Sequence, residues 1–173
     1  MKLIKYFSLI VAAAFCLSAC ETDLEKIQTL PADEVVAPVL HAIENTEFEI
    51  TSKNAATKVV FEWDKAYFGE GVLFSYYLYF TYGETELFVN STPNMAEVED
   101  KEDPDKKYMV DVTSMELTYS QIKKLMTTAP EKGGFGIAEN TPAEIKAHIV
   151  ARVGATGKEF ATDAITLTIT VVK

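Results

Sequence analysis

"FSYYLYFTYG" (residues 74–83) decides how this chain folds. Phe74, Tyr76, Leu78, Phe80 and Tyr82 take one side of a period of two, and Ser75, Tyr77, Tyr79 and Thr81 take the other. A β-strand turns successive side chains to opposite faces, and aromatic residues fit its pleated surface. The first set is therefore assigned to a core and the second to the outside. "GET" (residues 83–85) reads as a turn into "ELFVNS" (residues 86–91), the partner of a hairpin.

The same period recurs on both sides of this stretch. "TKVVFEWD" (residues 57–64) places Val59, Phe61 and Trp63 on one face, opposite Lys58, Val60, Glu62 and Asp64. "EIKAHIVARVGAT" (residues 144–156) sends Ile145, Ala147, Ile149, Ala151 and Val153 one way and Lys146, His148 and Arg152 the other. "AITLTITVV" (residues 164–172) points Ile165, Leu167, Ile169 and Val171 inward, with threonines outward. "KYMVDVTSMEL" (residues 107–117) gives one or two further strands. One helix is expected in "TYSQIKKLMTTA" (residues 118–129), where Thr118 and Gln121 fit a capping box and Ile122, Leu125 and Met126 form an apolar stripe before Pro130. About seven short strands, one short helix and no internal repeat describe an all-β sandwich of immunoglobulin or fibronectin-III type. Trp63 is expected in its core, packed without a disulfide.

Upstream of the sandwich the pattern changes. Lys2 and Lys5 precede an apolar run, "YFSLIVAAAFCL" (residues 6–17), in the manner of a secretory signal. That run is shorter than the roughly 18 residues of a membrane-spanning helix. It ends in "LSAC" (residues 17–20), which resembles a bacterial lipobox, where lipid is attached to the cysteine sulfur and cleavage frees its amino group for a further acyl chain. The plain alternative is ordinary signal cleavage beside a chance cysteine. Cys16 leaves with the signal, so the mature chain keeps Cys20 alone and forms no internal disulfide. Each buried methylene contributes about 0.8 kcal/mol, and stable anchoring takes at least two acyl chains. Glu21, Asp23 and Glu25 resemble the export signal that certain polysaccharide-utilising Gram-negative bacteria use to place lipoproteins on the outer leaflet. A merely solvated acidic tether is the competing reading. Residues 21–37 lack periodicity and hold Pro31, with Pro38 just beyond. The chain therefore divides into a signal peptide (1–19), an acidic tether (20–36) and one sandwich domain (37–173).

Without the signal the chain has 14 basic and 26 acidic residues, a net charge of −12. An acidic chain without a basic patch argues against nucleic acid as a partner, and against anionic headgroups held through charge.

Several stretches together resemble the N-terminal domain of SusE-type outer-membrane lipoproteins. They are "APVL" (37–40), "FEWDKAYFGEGVLFSYYLYF" (61–80), the helix around "IKKLM" (122–126), and "IVARVGA" (149–155) before a threonine-rich last strand. The likeness covers roughly residues 35–173. It implies an immunoglobulin-like domain in a surface starch-binding protein of the Sus-type glycan uptake systems. Two departures limit it. The family carries an Asn in the short helix, where this chain has Ile122-Lys123. The family also places carbohydrate-binding modules after this domain, whereas Lys173 closes the last strand here. The resemblance therefore implies a spacer more than a sugar reader.

Chemistry-bearing patterns are few. There is no activated-serine elbow, no Cys–His pair once Cys20 is acylated and no phosphate loop; "GGFG" (residues 133–136) reads as a flexible turn. His41 and His148 stand far apart without carboxylates at metal-motif spacing, so no metal and no cofactor is expected. The run "EVEDKEDPDKK" (residues 97–107) lacks the Gly and Glu positions of an EF-hand and reads as a solvated loop. Tyr77 and Tyr79 are the candidate carbohydrate-binding residues. They lie about 7 Å apart on the outward face of one strand, and flat aromatic faces at that spacing can stack on neighbouring sugar rings. Cover by neighbouring side chains or by the charged loop is the favoured alternative. The sequence thus describes a non-enzymatic lipoprotein, held in the outer membrane through Cys20 and exposed on the cell surface. It acts as an accessory of glycan capture and uptake, with glycan and Sus-type components as candidate partners. A structural or adhesive fibronectin-III-like module contacting protein is the alternative.

Overall fold

Residues 74–83 deliver the strand that their alternation demands. In the computed structural model, which describes residues 29–155 and 157–173, β4 (Ser75–Tyr82) buries Tyr76, Leu78 and Phe80 completely. The residues read as signal peptide, Cys20 and the first part of the stretch read as tether lie outside the described residues. Tyr82, assigned to the inward set, is 39% exposed because it is the last residue of β4, where the strand runs out past the sheet; its ring meets Phe135 at 5.9 Å.

The remaining strands are β1 (Val39–Leu40), β2 (Glu47–Ile50), β3 (Lys58–Asp64), β5 (Thr85–Pro93), β6 (Met95–Glu99), β7 (Lys107–Asp111), β8 (Ser114–Thr118), β9 (Pro142–Arg152), β10 (Glu159–Ala161) and β11 (Ile165–Val171). Apart from the β6–β7 pair, the strands form two layers. The smaller has the order β1-β3-β8, the larger the order β2-β11-β9-β4-β5, with β10 beside the end of β9. β2 runs parallel to β11, and the other pairings are antiparallel. With β3 and β8 in one layer and β11, β9, β4 and β5 in the other, this is an immunoglobulin-like sandwich. Short added strands raise the number above the seven of the simplest form. Because each inward set is apolar, the layers close on a continuous core of Phe61, Trp63, Tyr76, Leu78, Phe80, Ile145, Ile149 and Ile169. Trp63 is 1% exposed and meets the Tyr76 ring at 4.9 Å, which places it in the core as its strand period requires.

Two segments behave differently from their local reading. Residues 97–107 are not all loop: β6 and β7 make a hairpin in which Lys107 pairs with Glu97 at 2.9 Å, and only residues 100–106 form the charged tip. Strand 107–117 then breaks into β7 and β8 at Val112 and Thr113, whose backbones are taken by Asn94 and Trp63. "GGFG" is a turn, but a packed one. Its Phe135 is buried, its amides bond back to Leu125 and Thr128, and a β-carbon on Gly134 would sit 2.2 Å from the Thr128 carbonyl oxygen. The helix α1 (Tyr119–Thr127) begins with the capping box expected of Thr118 and Gln121, and buries Ile122 and Met126.

The chain enters and leaves at opposite poles. Within the stretch read as tether, Leu30 donates its amide to the Phe68 carbonyl, and Val36 exchanges backbone bonds with Tyr67. This is the pole where β3 ends and β4 begins. At the other pole lie α1 and the start of β9, and there the Asn140 amide donates to the Val171 carbonyl beside Lys173.

Candidate binding face

The outer face of the larger layer brings Tyr77 and Tyr79 together with residues from both neighbouring strands. Register sets Tyr79 opposite Phe88 on β5 and His148 on β9. Leu87 and Val89 pack on the core and Phe88 points outward by ordinary alternation, and a bulge between Leu78 and Tyr79 leaves Val89 without a partner. Phe88 is 53% exposed and lies 6.1 Å from the Tyr77 ring and 6.0 Å from the Tyr79 ring.

Both tyrosines are half-buried, and each has a neighbour on its ring. The Arg152 guanidinium carbon stands 5.0 Å from the Tyr77 centroid, a cation–π contact. The His148 imidazole stacks on Tyr79 at 5.5 Å and 16°. Cover by neighbouring side chains is therefore real, although the charged hairpin tip is not what supplies it. Arg152 Nε donates to Glu159 at 2.7 Å. That hydrogen bond, aided by the Tyr79 hydroxyl, holds the guanidinium pKa above its already high ordinary value, so the cation is permanent. His148 Nε2 lies 3.6 Å from Glu86, close enough to pair when the imidazole is protonated.

The resulting strip runs Arg152, Tyr77, Phe88, Tyr79, His148. It offers one projecting apolar ring, two tyrosine edges with their hydroxyls, a fixed cation at one end and a carboxylate beside the other. Apolar ring surface next to hydrogen-bonding groups is what the C–H face and the hydroxyls of a sugar ring need. Phe88 is outward by the plain alternation of Leu87, Phe88 and Val89, and sequence reasoning misses it because residues 86–91 read only as a hairpin partner, with no faces assigned. His148 and Arg152 had the correct outward face but no assigned neighbour, since β4 and β9 are some 70 residues apart in the chain.

Elsewhere, His41 bonds Asp64 at 3.0 Å beside the smaller layer, on the other sheet from His148. Among the described residues no three His, Cys, Asp or Glu side chains gather as metal ligands would. No helix of the described residues is long and apolar enough to cross a membrane. No protein-family model matches this chain, and no curated protein matches it.

Proposed function

We propose that this protein is an outer-membrane lipoprotein anchored through Cys20 and facing the cell surface, and that its sandwich is an accessory or spacer module of a Sus-type glycan capture and uptake system. The observation that carries the glycan side of this reading is the strip of Phe88 between Tyr77 and Tyr79 on an outward sheet face. Entry and exit of the chain at opposite poles suits a spacer, because the sandwich then adds its length between anchor and tip. A rim of this kind without a deep pocket binds weakly, in the roughly millimolar range that corresponds to about −4 kcal/mol.

Affinity electrophoresis and calorimetry across several polysaccharides test it. Phe88→Ala is expected to remove the binding while leaving thermal unfolding unchanged, since the ring is more exposed than buried. Tyr77→Ala/Tyr79→Ala is expected to remove it too, with some loss of stability from the broken Arg152 and His148 contacts. If the natural protein retards in none of the gels, the sugar face is refuted and only the spacer role stands.

A second reading has its own support. β5 is the last strand of the larger layer, and its outer edge pairs with no other strand among the described residues. A free edge can accept a strand from a protein partner, as an adhesive fibronectin-III-like module would use it.

A further inference from the structure

Exposed apolar surface is spread unevenly over the described residues. Of nine large apolar side chains left exposed, five (Val36, Val39, Tyr67, Leu73 and Met109) belong to the pole where the chain enters. Single exposed apolar residues are ordinary; a contiguous group is informative. Here four of the five, all but Val39, are contiguous. Val36 and Tyr67 are joined by backbone bonds of 3.0 and 2.9 Å. Tyr67 and Leu73 line a hollow of about 240 Å³. Leu73 and Met109 line an adjoining one of about 360 Å³, and Phe74 floors both. Leu73 is the barest of all, at 70% exposed.

Two ion pairs lie around this pole. Lys65 bonds Asp111 at 2.9 Å and Arg152 bonds Glu159 at 2.7 Å. Glu70, at the rim of the smaller hollow, and Asp33 and Glu34, beside Val36, stand outside these pairs.

The entry of the chain lies beside the same hollows. The Lys158 ammonium bonds the Leu30 carbonyl, the Val153 amide donates to the Lys158 carbonyl, and Gly154 of that loop lines the larger hollow. Cys20 stands ten residues before Leu30, a span of at most about 35 Å even when fully extended. With Cys20 in a bilayer, this pole cannot stand farther than that from the headgroups. The opposite pole is farther by the length of β9, whose 11 residues extend over about 36 Å.

We infer that this pole is a membrane-docking surface: Tyr67, Leu73 and Met109 settle into the headgroup–acyl boundary of the lipid leaflet that holds the Cys20 anchor, and the sandwich stands on that leaflet through them. The inference rests on the lipid-anchor reading. Three or four apolar side chains would not hold a free protein on a membrane. Once the anchor confines the domain, docking becomes an intramolecular step at high effective concentration, and a weak contact suffices. A tyrosine at the rim suits the interface, because its ring is apolar and its hydroxyl stays wet.

The test uses the acylated protein in vesicles of phosphatidylethanolamine and phosphatidylglycerol. Leu73→Cys, with Cys20 acylated, leaves a single thiol for an environment-sensitive nitrobenzoxadiazole label; Glu131→Cys places the same label at the far pole. Emission from position 73 is expected to shift to the blue, and spin-labelled lipid is expected to quench it several-fold more than emission from position 131. Water-like emission at both positions, in protein shown by mass to carry acyl chains on Cys20, overturns the docking and leaves the anchor standing. A mass without acyl chains removes anchor and docking together. A blue shift in native outer-membrane vesicles but not in pure lipid overturns the lipid contact in favour of a protein one.

Discussion

Trp63→Phe separates packing from polarity in the core of this sandwich. Trp63 is 1% exposed, and its indole N–H meets no partner at hydrogen-bond geometry, although it lies near enough to the Tyr76 hydroxyl to favour that phenol's ionised form slightly. Full truncation to Ala removes the ring and leaves a cavity, at a cost of about 3–5 kcal/mol. Phe keeps the six-membered ring against Tyr76. It gives up the surface of roughly two carbons, at about 0.8 kcal/mol each, with a small cavity in addition. Against this, Phe relieves an unsatisfied buried donor, a penalty of about 1–3 kcal/mol. The two effects nearly cancel, so Trp63→Phe is expected to fall within about 1 kcal/mol of the natural protein. Urea unfolding followed by far-ultraviolet dichroism reads both variants, with the slope checked for constancy. A loss of 3 kcal/mol or more for Trp63→Phe, on the order of the Ala value, would mean that the indole N–H is well bonded and the reasoning is wrong. A loss below roughly 1 kcal/mol for Trp63→Ala would remove Trp63 from the core altogether.

Three further outcomes follow from the geometry. Gly134→Ala drives a β-carbon into the Thr128 backbone, and a cost of about 1–3 kcal/mol or more is expected. Gly133→Ala, at φ 82° with open space around it, should lose only about 1 kcal/mol, so equal losses in thermal melts would refute the close approach at Gly134. Thr118→Ala breaks the capping box of α1 and should cost about 0.5–2 kcal/mol by chemical denaturation; no change would show that the cap is idle. Burial raises the Tyr76 phenol above its ordinary value of 10.0. The folded state therefore keeps that proton after the unfolded chain has lost it, so stability is flat below about pH 10 and falls as pH rises from there through the folded value. Tyr76→Phe should abolish that alkaline fall, while lowering stability at neutral pH by about 1–3 kcal/mol because the Ala66 amide loses its acceptor. A fall that persists in Tyr76→Phe belongs to another group.

Much of the fold was legible because strand faces and helix caps are local chemistry. Residues 58–64, 75–82, 142–152 and 165–171 carry a period of two strong enough to name their buried side chains, and Thr118 with Gln121 names the start of α1 without any tertiary contact. β6 was hidden because "MAEVE" runs into charge, and its pairing with β7 across residues 100–106 is what makes it a strand. The candidate face was half legible. Tyr77 and Tyr79 followed from alternation, but Arg152 and His148 reach them only through the register of β4 on β9, and Phe88 only through the register of β4 on β5.

What the sequence by itself determined is the inside-or-outside choice along β3, β4, β9 and β11 and the capped start of α1, which are set by local periodicity and local hydrogen bonding. Only the tertiary structure decided which outward residues are neighbours, which rings are covered, and that the bare apolar side chains gather beside the entering chain. The physical reason is that burial of a face depends on residues within one turn or two, whereas contact between faces depends on register and loop closure across tens of residues.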